Sequence, residues 1–319
     1  MREEDCMKNM VICGLGYISS RVAEGCLLAR GMRLYGLCSQ SLEKARIAAD
    51  RYDVQTAYGS YAEVLEDPMV DAVYLCTPNG THVAMARQAL LAGKSVICEK
   101  PLAPSTTEAR ELFSLGRERG VLLMEAAKTV FSPLLHAVRE QVRAGAIGDL
   151  YLIEADYCYD MAKAGKQPSD WIFGPGGGCS LDIGVYPAAL ALLFAEAPTA
   201  QCTTAKRTLG YPVDAGMQAL VEFQNGVVAH LASSWLRDVP DKGSATLSGT
   251  RGTVRIPAYW KAREAYLTCG GEQRTITADF ESDFTPEIEA AAAAMDQGLS
   301  EVPGVGERET LVILRMLGC

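Results

Sequence analysis

Three sets of residues have the types and spacing to do chemistry. In SVICEKPLA, Ser95 to Ala103, a short apolar run meets Glu99, Lys100 and Pro101, which sets an ammonium group at the end of what reads as a buried strand. In SLDIGVYPAAL, Asp182 and Tyr186 are four residues apart, a spacing that projects a carboxylate and a phenol from one helix face. In VICGLGYISS, Gly14 and Gly16 fall where a strand meets a helix. The first glycine of such a turn permits the tight bend, and the second lets backbone approach a pyrophosphate at the helix N-terminus. Lysine and tyrosine near one oxygen could polarise it and move its proton, because an adjacent ammonium lowers the pKa of a phenol. Each set also has a bland reading. Lys100 could be a surface lysine paired with Glu99, an arrangement of little energetic value. Tyr186 could be an amphipathic core tyrosine and Asp182 the N-cap of its helix. The glycines could form an ordinary strand-to-helix turn, the more so because Ser19 stands where the motif has its third glycine.

These residues need elements to position them. From Asn9 to about Ala126, the runs MVICGLG, LYGLCS, AVYLC, SVICEK and VLLME alternate with helical-period segments such as SRVAEGCLLAR and HVAMARQALLAG. Runs apolar on both faces and joined by helices imply a doubly wound parallel sheet. From Ala127 the rhythm changes to half-exposed alternating strands, among them GDLYLIEADYCYD and QALVEFQNGVVAHLASSWL, with Asn225-Gly226 as a hairpin turn. The fold class is therefore α/β: a Rossmann-type domain over residues 1–126, then an α+β domain over 127–319 with a mainly antiparallel open sheet covered by helices on one face.

Ligands of open α/β sheets bind outside the carboxyl ends of the strands. Those ends offer Gly14, Gly16, Tyr17 and Ile18 after the first run, and Thr77, Pro78, Asn79 and His82 after AVYLC. After SVIC come Glu99 and Lys100. After LYGLC stand Ser39, Gln40 and Ser41, with Lys44 a turn later. The missing acid favours NADP(H) over NAD(H), since an acid there would bond a ribose 2′-hydroxyl and a cation or hydroxyl would suit a 2′-phosphate. Lys44 as a solvated helix lysine is the competing reading.

Composition limits the alternatives. The 319 residues suit two domains, and a hydrophobic share of 49% with 22% charged residues is ordinary for a globular protein. A net charge of -9 without a basic block argues against a nucleic acid partner. Eleven cysteines are an odd number, with several in apolar runs and no CxxC pair, which suits a reduced compartment. MREEDCMKNM is polar and no apolar run is long enough to span a bilayer, so a cytoplasmic protein with no membrane partner is expected. His82, His136 and His230 lack paired spacing, so no metal is expected.

Taken together, AVYLCTPNGTHVAMARQALLAGKSVICEKPLA, the glycine turn and GGGCSLDIGVYPAALAL resemble the glucose-fructose oxidoreductase and inositol dehydrogenase (Gfo/Idh/MocA) family, over almost the whole chain. Tyr186 stands where many members have histidine, as in the dihydrodiol dehydrogenase branch, in which tyrosine is the proposed general acid. The resemblance implies a nicotinamide-dependent oxidoreductase acting on a sugar, cyclitol, dihydrodiol or related small molecule. In it Lys100 would polarise the reacting oxygen, Tyr186 transfer the proton and Asp182 orient substrate or lysine. It also implies a homodimer or homotetramer through the C-terminal sheet. Ala127 and Lys128 in MEAAKTVFSP depart from the branch's aromatic and arginine-rich segment and leave the substrate open. Trp171 could wall the pocket or be a buried structural residue. Two alternatives stand beside this reading: an NAD-dependent glycosidase with no net cofactor turnover, and a non-catalytic cofactor-binding protein.

Overall fold

The structure, a computed structural model, describes residues 7–167 and 170–319. The polar N-terminus read above therefore falls largely outside the described residues, as do Pro168 and Ser169 of PSDWIFGPGGG.

The chain divides into two compact units. The first holds a parallel sheet of β1 (Lys8–Cys13), β2 (Met32–Cys38), β3 (Thr56–Tyr58), β4 (Ala72–Leu75), β5 (Ser95–Glu99) and β6 (Leu123–Ala126). Its order is β3-β2-β1-β4-β5-β6, so the order reverses beside β1 and opens a crevice at the strands' carboxyl ends. Both faces must be covered for runs such as VIC and AVYL to be buried throughout. Helices α1 (Tyr17–Leu28), α2 (Leu42–Arg51), α3 (Tyr61–Glu66), α4 (His82–Leu91) and α5 (Thr106–Arg119) alternate with the strands. Ser41, Ser60 and Ser105 cap α2, α3 and α5 by accepting the backbone N–H of Lys44, Glu63 and Glu108. Helix α1 opens instead on Gly16, with no side-chain cap and no acid in its first turn.

This unit takes in the chain up to Ala126 and also Ser282–Thr310, a segment that begins with α8 (Thr285–Asp296) and that the sequence reading placed in the second domain. Tyr74 of β4 shows why the segment belongs here: its buried hydroxyl donates to Glu287 of α8 at 2.8 Å. The division falls within α9 (Glu307–Met316).

The second unit is built on an eight-stranded sheet. Its strands are β7 (Leu150–Cys158), β8 (Thr199–Arg207), β9 (Gly216–Phe223), β10 (Val228–Ser234), β11 (Ser244–Gly249), β12 (Gly252–Pro257), β13 (Glu264–Cys269) and β14 (Glu272–Thr277). The order is β14-β13-β12-β11-β7-β10-β9-β8, antiparallel except where β7 runs parallel to β10. Asn225 and Gly226 make the expected hairpin between β9 and β10, Gly226 having φ +84°. Helix α6 (Pro133–Arg143) packs on β13 and β14, and α7 (Val185–Ala195) on β7 and β10. VYPAALALLFA is apolar almost all round, as a fully packed helix must be. Away from the helices, Leu220, His230, Glu154 and Arg255 lie in one cross-strand row of exposed side chains, with Thr246 half-buried among them.

Candidate active site

Gly14 ends β1 with φ +93°, and a Cβ there would stand 2.8–2.9 Å from Thr77 Cγ2 and the Cys76 carbonyl group. Only glycine meets both conditions without strain. A Cβ at Gly16 would meet no atom within 4 Å, so this backbone faces open space at the uncapped start of α1. Ser19 replaces the third glycine without filling that space, because it is buried and its hydroxyl donates back to the Gly16 carbonyl at 2.6 Å. Tyr17 is 79% exposed and Ile18 half-buried beside it. A pyrophosphate therefore fits: free approach to backbone, N–H groups without a side-chain cap, and no acidic neighbour in the first turn.

The β4 end lies next to it in the sheet. The Thr81 hydroxyl donates to Thr77 Oγ1 at 2.8 Å, Pro78 is exposed, and Asn79 is buried at the start of a 3-10 turn, Asn79–Thr81. His82 is wholly buried, with Nδ1 2.8 Å from the Pro101 carbonyl oxygen and Nε2 2.8 Å from that of Thr77. Its ring thus braces the turns after β4 and β5. Burial holds its pKa below the ordinary histidine range, and the two carbonyls work against that. At the β2 end, Ser39 is half-buried and accepts the Ser41 N–H at 3.3 Å, while Lys44 is exposed beside the acidic Glu43.

Strand β5 ends on Glu99 with Lys100 directly after it, one strand beyond β4, and both are half-buried. The single proton of the Tyr74 hydroxyl is shared between Glu287 Oε1 at 2.8 Å and Glu99 Oε1 at 3.2 Å. Burial, then Glu287 and Glu99, push the Tyr74 phenol well above its ordinary range, so it acts as a fixed donor. The Lys100–Pro101 peptide is cis. Gly14–Gly16, Thr77–Asn79 and Glu99–Lys100 thus stand at the carboxyl ends of three adjacent strands, β1, β4 and β5.

In the second unit, Asp182 lies inside a π-helical turn, Ser180–Gly184, that runs directly into α7. That position gives it no N-cap role. Asp214 holds this turn instead, accepting the Ser180 N–H at 2.7 Å and the Ser180 hydroxyl at 2.9 Å. Asp182 Oδ2 accepts from the Tyr159 hydroxyl at 2.9 Å and from Trp235 Nε1 at 3.3 Å. Burial and the Asp182 charge raise the Tyr159 phenol far above its ordinary range. Asp182 and Tyr186 are the half-buried residues in a segment, Leu181–Leu190, that is otherwise buried, so both show on one face as the spacing implied. Tyr186 meets Tyr157 edge to face at 5.3 Å, and Tyr157 stacks on Trp260 at 3.7 Å. Lys128 is 9% exposed at the start of the 3-10 turn Lys128–Phe131, whereas Trp171 is 45% exposed, so the buried-tryptophan reading fails. Tyr159, Trp235 and Asp214 were not singled out from the sequence; no motif links them to Asp182 or Ser180.

A family model described as an oxidoreductase family with an NAD-binding Rossmann fold matches residues 8–127, and the GFO/IDH/MocA C-terminal domain matches residues 135–255. The chain belongs to the Gfo/Idh/MocA family. This member is 31% identical to the trans-1,2-dihydrobenzene-1,2-diol dehydrogenase of Mus musculus, over 76% of this chain and 71% of that protein. It is also 31% identical to the D-xylose 1-dehydrogenase (NADP(+)) 2 of Haloferax volcanii, over 88% of this chain and 86% of that one. The aldose-aldose oxidoreductase of Caulobacter crescentus, solved with glycerol, shares the fold with a TM-score of 0.86 at 22% identity, covering 98% of this chain and 96% of that chain. As a Gfo/Idh/MocA member with these relatives, the chain is an NAD(P)-dependent oxidoreductase acting on a hydroxyl or carbonyl carbon of a small molecule. The glycosidase and non-catalytic alternatives are not favoured.

Proposed function

We propose that the enzyme uses NADP(H) in preference to NAD(H) and that it oxidises the hydroxyl of a sugar or a cyclic diol, or runs the reverse reduction. The observation that carries the reading is the alignment of the glycine turn, Thr77–Asn79 and Lys100 at adjacent strand ends in one unit. A bound nicotinamide would supply the hydride acceptor or donor. Gly14 and Gly16 would admit its pyrophosphate, with Thr77, Pro78 and Asn79 alongside. Ser39 and Lys44 would meet a 2′-phosphate, a choice supported by the lack of an acid directly after β2.

Lys100 would polarise the reacting oxygen and Tyr186 would take or give its proton. Asp182, held by Tyr159 and Trp235, would orient a substrate hydroxyl. Support for the substrate class comes from the aromatic surround of Tyr186 and from relatives named for a cyclic diol and for D-xylose. The exposed sheet face carrying Leu220 and His230 supports a homodimer or homotetramer through that sheet.

The test is a titration with NADPH and NADH, followed by nicotinamide fluorescence, then reduction of NADP+ and NAD+ with trans-1,2-dihydrobenzene-1,2-diol and D-xylose. Tighter NADPH binding and turnover of either compound are expected. Tighter NADH binding would overturn the 2′-phosphate reading.

A further inference from the structure

We propose that Glu125 is a positioning residue for Lys100, fixing the turn that carries the lysine by holding the backbone N–H of Leu102. This rests on the reading of Lys100 as the residue that meets the reacting oxygen, although its first test does not depend on that reading.

The ladder between β5 and β6 ends where Glu99 faces Ala126. Beyond that point Lys100, Pro101 and Leu102 lie outside the strand, and proline has no N–H to give. Leu102 therefore carries the first backbone donor after Lys100, and Leu102 is wholly buried. Glu125, one residue before the end of β6 and 5% exposed, accepts that N–H on Oε1 at 2.9 Å. Its Oε2 accepts the hydroxyl of Thr310, itself 1% exposed, at 2.7 Å. From the other side, His82 Nδ1 stands 2.8 Å from the Pro101 carbonyl. Two buried ionisable side chains thus grip consecutive backbone groups just after Lys100.

Packing alone does not call for a carboxylate here, since a buried charge is penalised unless compensated. Both hydrogen-bond donors to Glu125 are neutral. Burial raises the Glu125 pKa, and the bonds from Leu102 and Thr310 together with the positive charge of Lys100 oppose that rise. Glu125 therefore supplies Lys100 with a fixed backbone on which it sits. Glutamine could keep that anchor, with its carbonyl toward Leu102 and its amide toward Thr310.

The first measurement is amide hydrogen exchange at Leu102 by NMR in the full-length protein without added cofactor. Glu125→Ala should speed exchange at Leu102 at least about tenfold while Val96 to Cys98, bonded within the sheet, keep their rates. Glu125→Gln and Thr310→Val should leave Leu102 protected. If Glu125→Ala does not fold, Glu125→Met removes the acceptor at similar volume and is read in the same way. Unchanged protection at Leu102, or a uniform rise across β5 and β6, would overturn the proposal.

The second measurement is steady-state turnover of trans-1,2-dihydrobenzene-1,2-diol or D-xylose. Loss of positioning should lower kcat about 100-fold in Glu125→Ala, with the NADPH dissociation constant nearly unchanged and most of the rate recovered in Glu125→Gln. A collapse in Lys100→Met with no effect of Glu125→Ala would overturn the positioning role and leave the lysine reading standing. The converse, a loss in Glu125→Ala but none in Lys100→Met, would remove the lysine reading while the anchoring of Leu102 stood.

Discussion

Around Lys100 the protein is held by backbone: Pro101 O and Leu102 N are gripped by His82 and Glu125, and Glu99 is tied to Tyr74. Around Asp182 the work falls to aromatic side chains, with Tyr159 and Trp235 donating to the carboxylate and Tyr157 and Trp260 stacked beside Tyr186. The difference matters for how each part tolerates change. A turn fixed through backbone groups keeps its shape when the lysine side chain is altered, so function and fold separate cleanly there. A carboxylate fixed by donors from a strand end and a buried tryptophan shares those donors with the core, so altering them touches stability as well.

The largest expected effect breaks the first region only. Lys100→Met should lower the rate of the chemical step by about 10³-fold, as loss of a group stabilising charge on the reacting oxygen does, while thermal stability and NADPH binding hold. Next, Tyr186→Phe keeps the ring against Tyr157 and removes the hydroxyl. It should cost about 10²-fold in kcat, the usual worth of a positioned proton-transfer group, with little change in Tm. Gly14→Ala forces a Cβ into the Cys76–Thr77 backbone at φ +93°. It should destabilise the first unit by roughly 1–3 kcal/mol and weaken NADPH binding, read by thermal melts with and without NADPH. The smallest effect sharpens the second region. Trp235→Phe deletes the donor to Asp182 in a residue that is wholly buried, and should cost about 1 kcal/mol of stability together with a several-fold loss in kcat. If Trp235→Phe lowered activity and left stability untouched, the contrast between the two regions would fail.

The two regions also differ in how far they could be read from sequence. The glycine turn and Glu-Lys-Pro were readable because each is a contiguous motif at a strand end, where chain order and spatial order coincide. The doubly wound sheet was readable for the same reason, apart from β3, whose three residues, Thr56–Tyr58, are too few to show a period. Strand β8 was also missed: TAQCTTAKR sits at a sheet edge with no fully buried residue, so it carries little apolar signal. The Asp182–Tyr186 spacing was visible, but the π-helical turn was not. Nor were the donors of Asp182, which lie 23 and 53 residues away. Glu125 was hidden because its role depends on the cross-strand neighbour β5 and on Thr310, 185 residues later.

The central claim is that Lys100 serves the chemical step and not the cofactor's binding. It is tested most directly by measuring NADPH affinity and hydride transfer side by side in the wild type and Lys100→Met. The account predicts equal affinities within about twofold and a rate lower by about 10³-fold in the variant. Parallel loss of affinity and rate, or an unchanged rate, would contradict it.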